Sequence, residues 1–378
     1  MNLSLFQKSA NMTLPNHWKE EEFLALYFDK HLQAHQIRNI VDKFDSLSKF
    51  SSNSLAHSIL GDINLFNNKE FNNSVNDQAS NLIELCSKLK IEMITIWDER
   101  YPYLLKNINY PPILLFVRGN FNIEDKNSIA VVGTRRNTLY GKLATERFVK
   151  YFVERDIVIV SGLAYGIDTI AHKTALEHKG ITFAIVASGL DKIGPQISSE
   201  LANKIVDKGG AVVSEYLPGT AAKPGYFPQR NRIISGICNA TLVIESGVKS
   251  GSLITARFAL DEGRDVFAVP GNITSEKSQG TNFLIKNDSA IPALSPEQIL
   301  MDLGWDKFLF KENGQNSLKF DNDVEKRIFD ALSFEPIQID DLSDKISLDI
   351  SQLLVNLLSL EFKGYIKQLA GKNFIRNY

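Results

Sequence analysis

The sequence predicts an α/β protein: a doubly wound, mostly parallel sheet with a helical module before it and a winged helix after it. Three observations carry this. Between residues 129 and 269, six short apolar runs alternate with five helical segments. That is the pattern of a parallel sheet covered on both faces. Each run ends in small or turn-forming residues, as expected where a ligand lies beyond the carboxyl ends of strands. Past residue 318, three helical segments and a hairpin follow in winged-helix order. A chain of 378 residues exceeds one ordinary domain. The expected division is a helical module over 1–78, a sheet core over 79–304, a linker over 305–318 and the winged helix over 319–378.

In the first module, Phe23, Leu24, Leu26 and Tyr27 suggest one helix from about Trp18. Ile37, Ile40, Val41 and Phe44 suggest a second from His31, and Ser54–Leu60 a third. The Asn-rich stretch Asn64–Asn76 breaks the pattern before a further helix over Gln78–Leu89. Modules of this size, SAM-like or helix–hairpin–helix-like, often bind DNA through a glycine-containing turn. Here Asp29-Lys30-His31 has no glycine, which favours a packing role.

Ile91–Trp97 and Ile113–Val117 read as strands. The core strands are expected at Ile129–Val132, Ile157–Val160, Thr182–Val186, Ala211–Val213, Thr241–Ile244 and Asp265–Val269. The helices between them are expected at Gly141–Glu154, Asp168–Lys179, Ser199–Lys208, Arg230–Ile237 and Leu253–Glu262. Right-handed crossovers then give the doubly wound arrangement. In the tail, helices are expected over Asp323–Leu332, Ile339–Ile346 and Asp349–Phe362, with a hairpin of Tyr365–Leu369 and Asn373–Arg376. From Leu318 onward there are eight Lys/Arg against ten Asp/Glu. Phosphate affinity needs cations, so a protein-contact or packing role is favoured for the winged helix over DNA binding.

Composition bounds the function. The chain is 44% hydrophobic and 23% charged with a net charge of −2, which excludes a wholly basic binder but not a local basic groove. Two distant cysteines, Cys86 and Cys238, point to a reducing compartment without disulfides. No apolar run approaches the roughly 20 residues that span a bilayer. The start of the chain lacks a signal-peptide core, so a cytoplasmic protein with no membrane partner is expected.

The stretch Tyr226–Ala256 holds Arg230-Asn231-Arg232 and a small-residue loop, Ser250-Gly251-Ser252, that opens a helix. Free backbone N–H groups at a helix start attract anions, and arginine forks suit phosphate oxygens. Gly133-Thr134 and Ser161-Gly162 close two other strands on the same rim. The dinucleotide fingerprint fails, because Gly133 is followed by Thr, Arg and Arg, and Arg135 stands where bare backbone must meet pyrophosphate. The segment Gly247–Ser252 does not fit a P-loop. No cofactor is expected. His172 and His178, six apart, make no metal pair and read as solvated or capping residues. Asp168 reads as a helix N-cap. Arg230 and Arg232 either contact DNA or pair with Glu215 or Glu245 to tie the sheet edge.

From about Ile91 to Leu300 the chain resembles the DNA-processing protein A (DprA, or Smf) family. The motifs come in order: Asp98–Pro102, Gly133-Thr134-Arg135, Ser161–Asp168 with Ala171-His172, Gly189-Leu190-Asp191, Ser214-Glu215, Phe227–Ile234, Ser250–Ala256, Gly263-Arg264-Asp265, Val269-Pro270-Gly271 and Gly280-Thr281-Asn282. The resemblance implies an extended Rossmann-like core that forms homodimers. It implies a non-catalytic protein that binds and protects incoming single-stranded DNA in natural transformation and helps load the recombinase RecA. It places the family's arginine on Arg135, with phosphate cradled by Gly133, Thr134, Ser161, Gly162 and the Ser250–Ser252 loop.

Three departures stand out. Lys192-Ile193-Gly194-Pro195-Gln196 replaces a usual Tyr-Pro-basic run, with Lys192 as a partial substitute. Tyr165 stands where an arginine is usual, either stacking on a base or packing in the core. Asn287-Asp288-Ser289 replaces a usual glycine-alanine turn. The competing expectation is a nucleotide-processing enzyme of phosphoribohydrolase type, for which Glu215 and Glu245 lie at strand ends but the Gly-Gly-x-Gly-Thr loop is missing.

Overall fold

The computed structural model describes residues 12–15, 17–29, 32–52, 69–124, 126–305 and 320–376. They form two compact units, divided between Leu309 and Phe310.

The first unit is built on a nine-stranded sheet. Its strands are β1 (Glu92–Thr95), β2 (Leu114–Gly119), β3 (Ser128–Val132), β4 (Val158–Ser161), β5 (Thr182–Ile185), β6 (Ala211–Ser214), β7 (Ala240–Val243), β8 (Asp265–Ala268) and β9 (Ile291–Pro292). All six core strands lie where the apolar runs put them, because every residue of β3 to β7 is buried and only a two-face-covered strand needs such a run. The order is β1-β2-β6-β5-β4-β3-β7-β8-β9. From β6 to β9 the pairing is parallel, as in Val132 beside Val243. β1, β2 and β6 pair antiparallel, extending the sheet on one edge.

The order turns at β3. From β3 the chain builds β4, β5 and β6 on one side, then returns to add β7 and β8 on the other. In doubly wound sheets the ligand crevice opens at this switch point, between the carboxyl ends of β3 and β7.

The N-terminal helices Glu20–Phe28, Ala34–Lys43 and Leu47–Ser51 share a hydrophobic cluster with the sheet. Tyr27 donates its hydroxyl to the Glu215 carbonyl at 3.0 Å, and the Trp97 indole reaches Asp42 at 2.7 Å. The helix expected over Ser54–Leu60 lies outside the described residues. The Asn-rich stretch breaks the helical pattern only in part, since a 20-residue helix, Lys69–Lys88, begins inside it. Asparagine costs a helix only a few tenths of a kcal/mol. Burial of Ala79, Leu82 and Cys86 further along offsets that. Among the described residues no helix is long and apolar enough to cross a membrane.

His172 is a correction: it is wholly buried, not solvated or capping, on the helix Ile167–Glu177. His178 is exposed at the C-cap of that helix, as expected. The Thr182 hydroxyl donates to the Ile159 carbonyl, so the imidazole Nδ1–H donates to Thr182 at 2.7 Å. Burial pushes the ring's pKa down to about 3. The unfolded chain therefore takes up the proton first, and this group's stability is complete above about pH 6.5 and lost as pH falls towards 3. Between pH 7 and pH 5 the loss is roughly 2 kcal/mol. Asp168 has the opposite sign: burial raises its carboxyl to about 6, so acidification favours the fold there. Urea unfolding of the wild type and His172→Gln at both pH values separates the two. The variant is expected to lose less stability on acidification, and an identical loss would refute the buried neutral ring.

The second unit holds the helices Asp323–Ala331, Ile339–Ile346 and Ile350–Phe362 and a three-stranded sheet, β10 (Ile337–Gln338), β12 (Asn373–Arg376) and β11 (Ile366–Leu369), in that order. This is a winged helix. Its core includes Ile328, Leu342, Leu353, Leu357 and Leu360. Lys363 reaches buried Glu325 at 2.6 Å and Asp321 at 2.8 Å, tying the third helix to the first.

Candidate functional site

At the switch point the residues after β3 and β7 face each other across a cleft of about 700 Å³. Its two walls are joined by backbone: Thr134 N–H donates to the Glu245 carbonyl at 2.8 Å. Gly133 has no room for a side chain, since a Cβ would lie 2.5 Å from Ile167. Its absence lets the helix Ile167–Glu177 approach the end of β3.

Glu245 shapes the first wall. Buried at 1% exposure, it accepts from Thr138 N–H at 2.8 Å and from the Thr138 hydroxyl at 2.5 Å. It holds the loop that carries Arg135 and Arg136, and it pairs with neither Arg230 nor Arg232. Arg135 is exposed and its guanidinium lies 5.0 Å from the Phe227 ring centroid. That ring gives the cation a resting place without neutralising it. Opposite, Ser250 caps the helix Gly251–Asp261 by accepting from Ser252 N–H at 3.4 Å, and Ser252 donates to Ser246 at 2.9 Å. A Cβ at Gly251 would meet nothing, so the helix start stands open to the cleft. The helix dipole favours an anion there.

Arg230 forms the floor. It is 3% exposed and its Nη1 donates to the Gly162 carbonyl at 2.8 Å and to the Ile185 carbonyl. Asp168 lies across Gly162 from it and accepts from Gly162 N–H at 3.1 Å and Ala164 N–H at 3.4 Å. Asp168 is therefore not the expected N-cap. Gly166 takes that position at φ +81°, and the carboxylate reaches back from the first turn to hold the preceding loop. Burial drives the Arg230 pKa down to about 10 and the Asp168 pKa up to about 6, each opposed by the other's charge.

Of the residues expected from the sequence, Gly133, Thr134, Arg135, Arg230, Asn231, Ser250, Gly251 and Ser252 line this cleft. Ser161 and Gly162 lie behind its floor, with the Ser161 hydroxyl on the Val131 carbonyl at 2.6 Å. Tyr165 is 49% exposed, which excludes core packing, and adjoins Ala164 of the lining. Lys192 is exposed in the loop between β5 and the helix Gln196–Asp207, outside the lining. Arg232 turns away to pair with Glu215, whose carboxyl is raised by burial against the pull of Arg232.

Sequence reasoning missed Arg136, Phe227, Lys249 and Lys277, all of which line the cleft. Arg136 and Lys249 each adjoin a chosen residue, so position alone signals them. Lys277 has no such signal; only the β7–β8 neighbourhood brings its loop in, through Ser246 N–H on the Lys277 carbonyl at 2.7 Å. Among the described residues, Arg135, Arg136, Lys249 and Lys277 have no carboxylate at salt-bridge distance, while Asp168, Glu215 and Glu245 are all engaged. The cleft thus offers free cations and fixed N–H groups, the chemistry of phosphate binding.

Residues 92–304 match the family model described as DNA recombination-mediator protein A, and residues 316–372 the one described as DprA winged helix domain. Protein Smf of Escherichia coli is 35% identical over 275 residues, covering 71% of this chain and 73% of that protein. The X-ray structure of DNA processing protein A from Streptococcus pneumoniae superposes with a TM-score of 0.63 at 33% identity, over 75% of this chain and 98% of the other. A Helicobacter pylori structure, described as giving insight into a single-stranded DNA binding mode of DNA processing protein A, superposes at 0.50 with 29% identity, over 54% and 93%.

Proposed function

This chain belongs to the DNA recombination-mediator protein A (DprA/Smf) family, and from that premise we propose that it binds single-stranded DNA in the switch-point cleft, without catalysis. The observation that carries the reading is the set of four cations, with no carboxylate partner among the described residues, around an open helix start. A polymer backbone supplies several phosphates in a row, which suits cations spread along a rim better than one compact cofactor does. The Helicobacter pylori relative described with single-stranded DNA supports the same ligand class. Engagement of Asp168, Glu215 and Glu245 by hydrogen bonds and ion pairs supports a binding protein over a phosphoribohydrolase-type enzyme. Family membership further supports a cytoplasmic homodimer that presents two such clefts and hands DNA to RecA in transformation.

The test is a titration of oligo-dT of increasing length, and of a duplex, at two salt concentrations. Binding is expected to strengthen with strand length and to weaken with salt. Salt-independent binding, or none, overturns the reading. Light scattering gives the subunit number, and recombinase loading on coated DNA tests the RecA step. Tyr165→Ala is expected to lower affinity by about 1–3 kcal/mol if its ring stacks on a base, with an unchanged salt slope. A changed slope would move Tyr165 from stacking to backbone contact.

A further inference from the structure

The third helix of the winged helix, Ile350–Phe362, has two apolar faces. Leu353, Leu357 and Leu360 face the domain core and are buried. On the outer side Ile350 and Leu354 are each 41% exposed, Leu358 is 56%, Val355 is 70% and Phe362 is 85% exposed. Val355, Leu358 and Phe362 are spaced three and four apart, as in the seam of a helix pair. Single exposed apolar residues are ordinary, but a continuous stripe of them marks a contact surface.

The charges around the stripe decide what it takes. No Lys or Arg lies within Ile350–Phe362. Lys363 at its end is held by Asp321 and Glu325. Exposed Asp340, Asp341, Asp344 and Asp349 lie on the preceding helix and in the turn that leads into this one. Lys345, the one Lys or Arg on the preceding helix, is turned onto the Ala331 carbonyl at 2.8 Å, so phosphate would meet mainly acid and hydrocarbon here. A second copy fits poorly as well. Its own helix offers no Lys or Arg to meet those aspartates, and Lys363 at the helix end is already held by Asp321 and Glu325.

We propose that the outer face of helix Ile350–Phe362 docks an apolar helix of another protein, flanked by lysine or arginine, and that it does not enter a DNA groove. The partner's apolar side lies along Val355, Leu358 and Phe362, and its cations meet the aspartates beside the helix start. This is helix-on-helix recognition with a charged register.

The test uses the full chain and a fluorescent three-heptad peptide with leucine at the seam positions and lysine elsewhere, compared with its glutamate counterpart. The lysine peptide is expected to bind and the glutamate peptide not to. Val355→Ala/Leu358→Ala is expected to weaken the lysine peptide by at least about tenfold, since two central apolar contacts are lost without any change of charge. Both positions are exposed, and circular dichroism with urea unfolding confirms that the variant is folded. Equal binding of the two peptides, or unchanged binding by the variant, overturns the proposal. So does a duplex-DNA affinity that falls in the variant, which would make this a DNA face. A subunit number that falls in the variant without peptide would assign the stripe to a second copy instead.

Discussion

Arg230→Met is expected to destabilise the first unit by about 3–5 kcal/mol, the range seen when one partner of a buried charge pair is removed. Three losses combine. The Gly162 and Ile185 carbonyls lose their donor, and neither is placed to find water. Asp168 loses the positive charge that opposes its burial. The methionine chain fills most of the space, so little of the cost is cavity. The pH dependence identifies the cause. Without Arg230 the Asp168 carboxyl should rise further above about 6, and its protonation then removes the uncompensated charge. The deficit should therefore shrink as pH is lowered from 8 to 5. Asp168→Asn in the Arg230→Met background should recover part of the loss at pH 8 and little at pH 5. A deficit below about 1 kcal/mol, or one independent of pH, would mean that Arg230 is not the floor's electrostatic support.

The same two residues show how far the site is legible in the sequence. Ser161–Asp168 and Arg230 stand out as motifs, but their roles depend on the contact of Arg230 with Gly162, 68 residues away in the chain. A sequence shows that Asp168 starts a helix; it does not show the N–H groups of Gly162 and Ala164 turned back onto it. The sheet was more legible, because burial on both faces forces an apolar run whatever the strand order. The order was not, and so Lys277, brought to the cleft only by the β7–β8 neighbourhood, carried no local signal. β10 was missed for a related reason: two residues opposite Asn373 and Phe374 are too short for any periodicity. The Arg232–Glu215 pair was one of two alternatives left open by the sequence. The structure forms that pair beside Tyr27, whose hydroxyl donates to the Glu215 carbonyl, a contact between distant parts of the chain that no local pattern announces.

Arg135→Ala is expected to weaken single-strand binding by about 1–2 kcal/mol, that is by about 5- to 30-fold, the worth of one charge-assisted contact. Its distinctive effect is on salt. Each phosphate neutralised on a single strand contributes about 0.7 to the slope of log affinity against log salt. Removing one cation should lower the slope by about that amount. Lys249→Ala and Lys277→Ala should each do the same, because both line the cleft and neither has a carboxylate partner among the described residues. Phe227→Ala should act differently. It removes the ring that positions the Arg135 guanidinium but leaves the charge, so affinity should fall while the slope holds. Arg232→Ala is the control. Its charge is spent on Glu215 outside the cleft, so it should cost stability and leave the slope unchanged. If Arg232→Ala lowers the slope and Arg135→Ala does not, the strand runs towards the end of β6 and the switch-point cleft is not its path. If Lys249 and Lys277 change the slope while Arg135 does not, the strand keeps to the β7–β8 side, and the helix start at Ser250–Ser252 becomes the main phosphate contact.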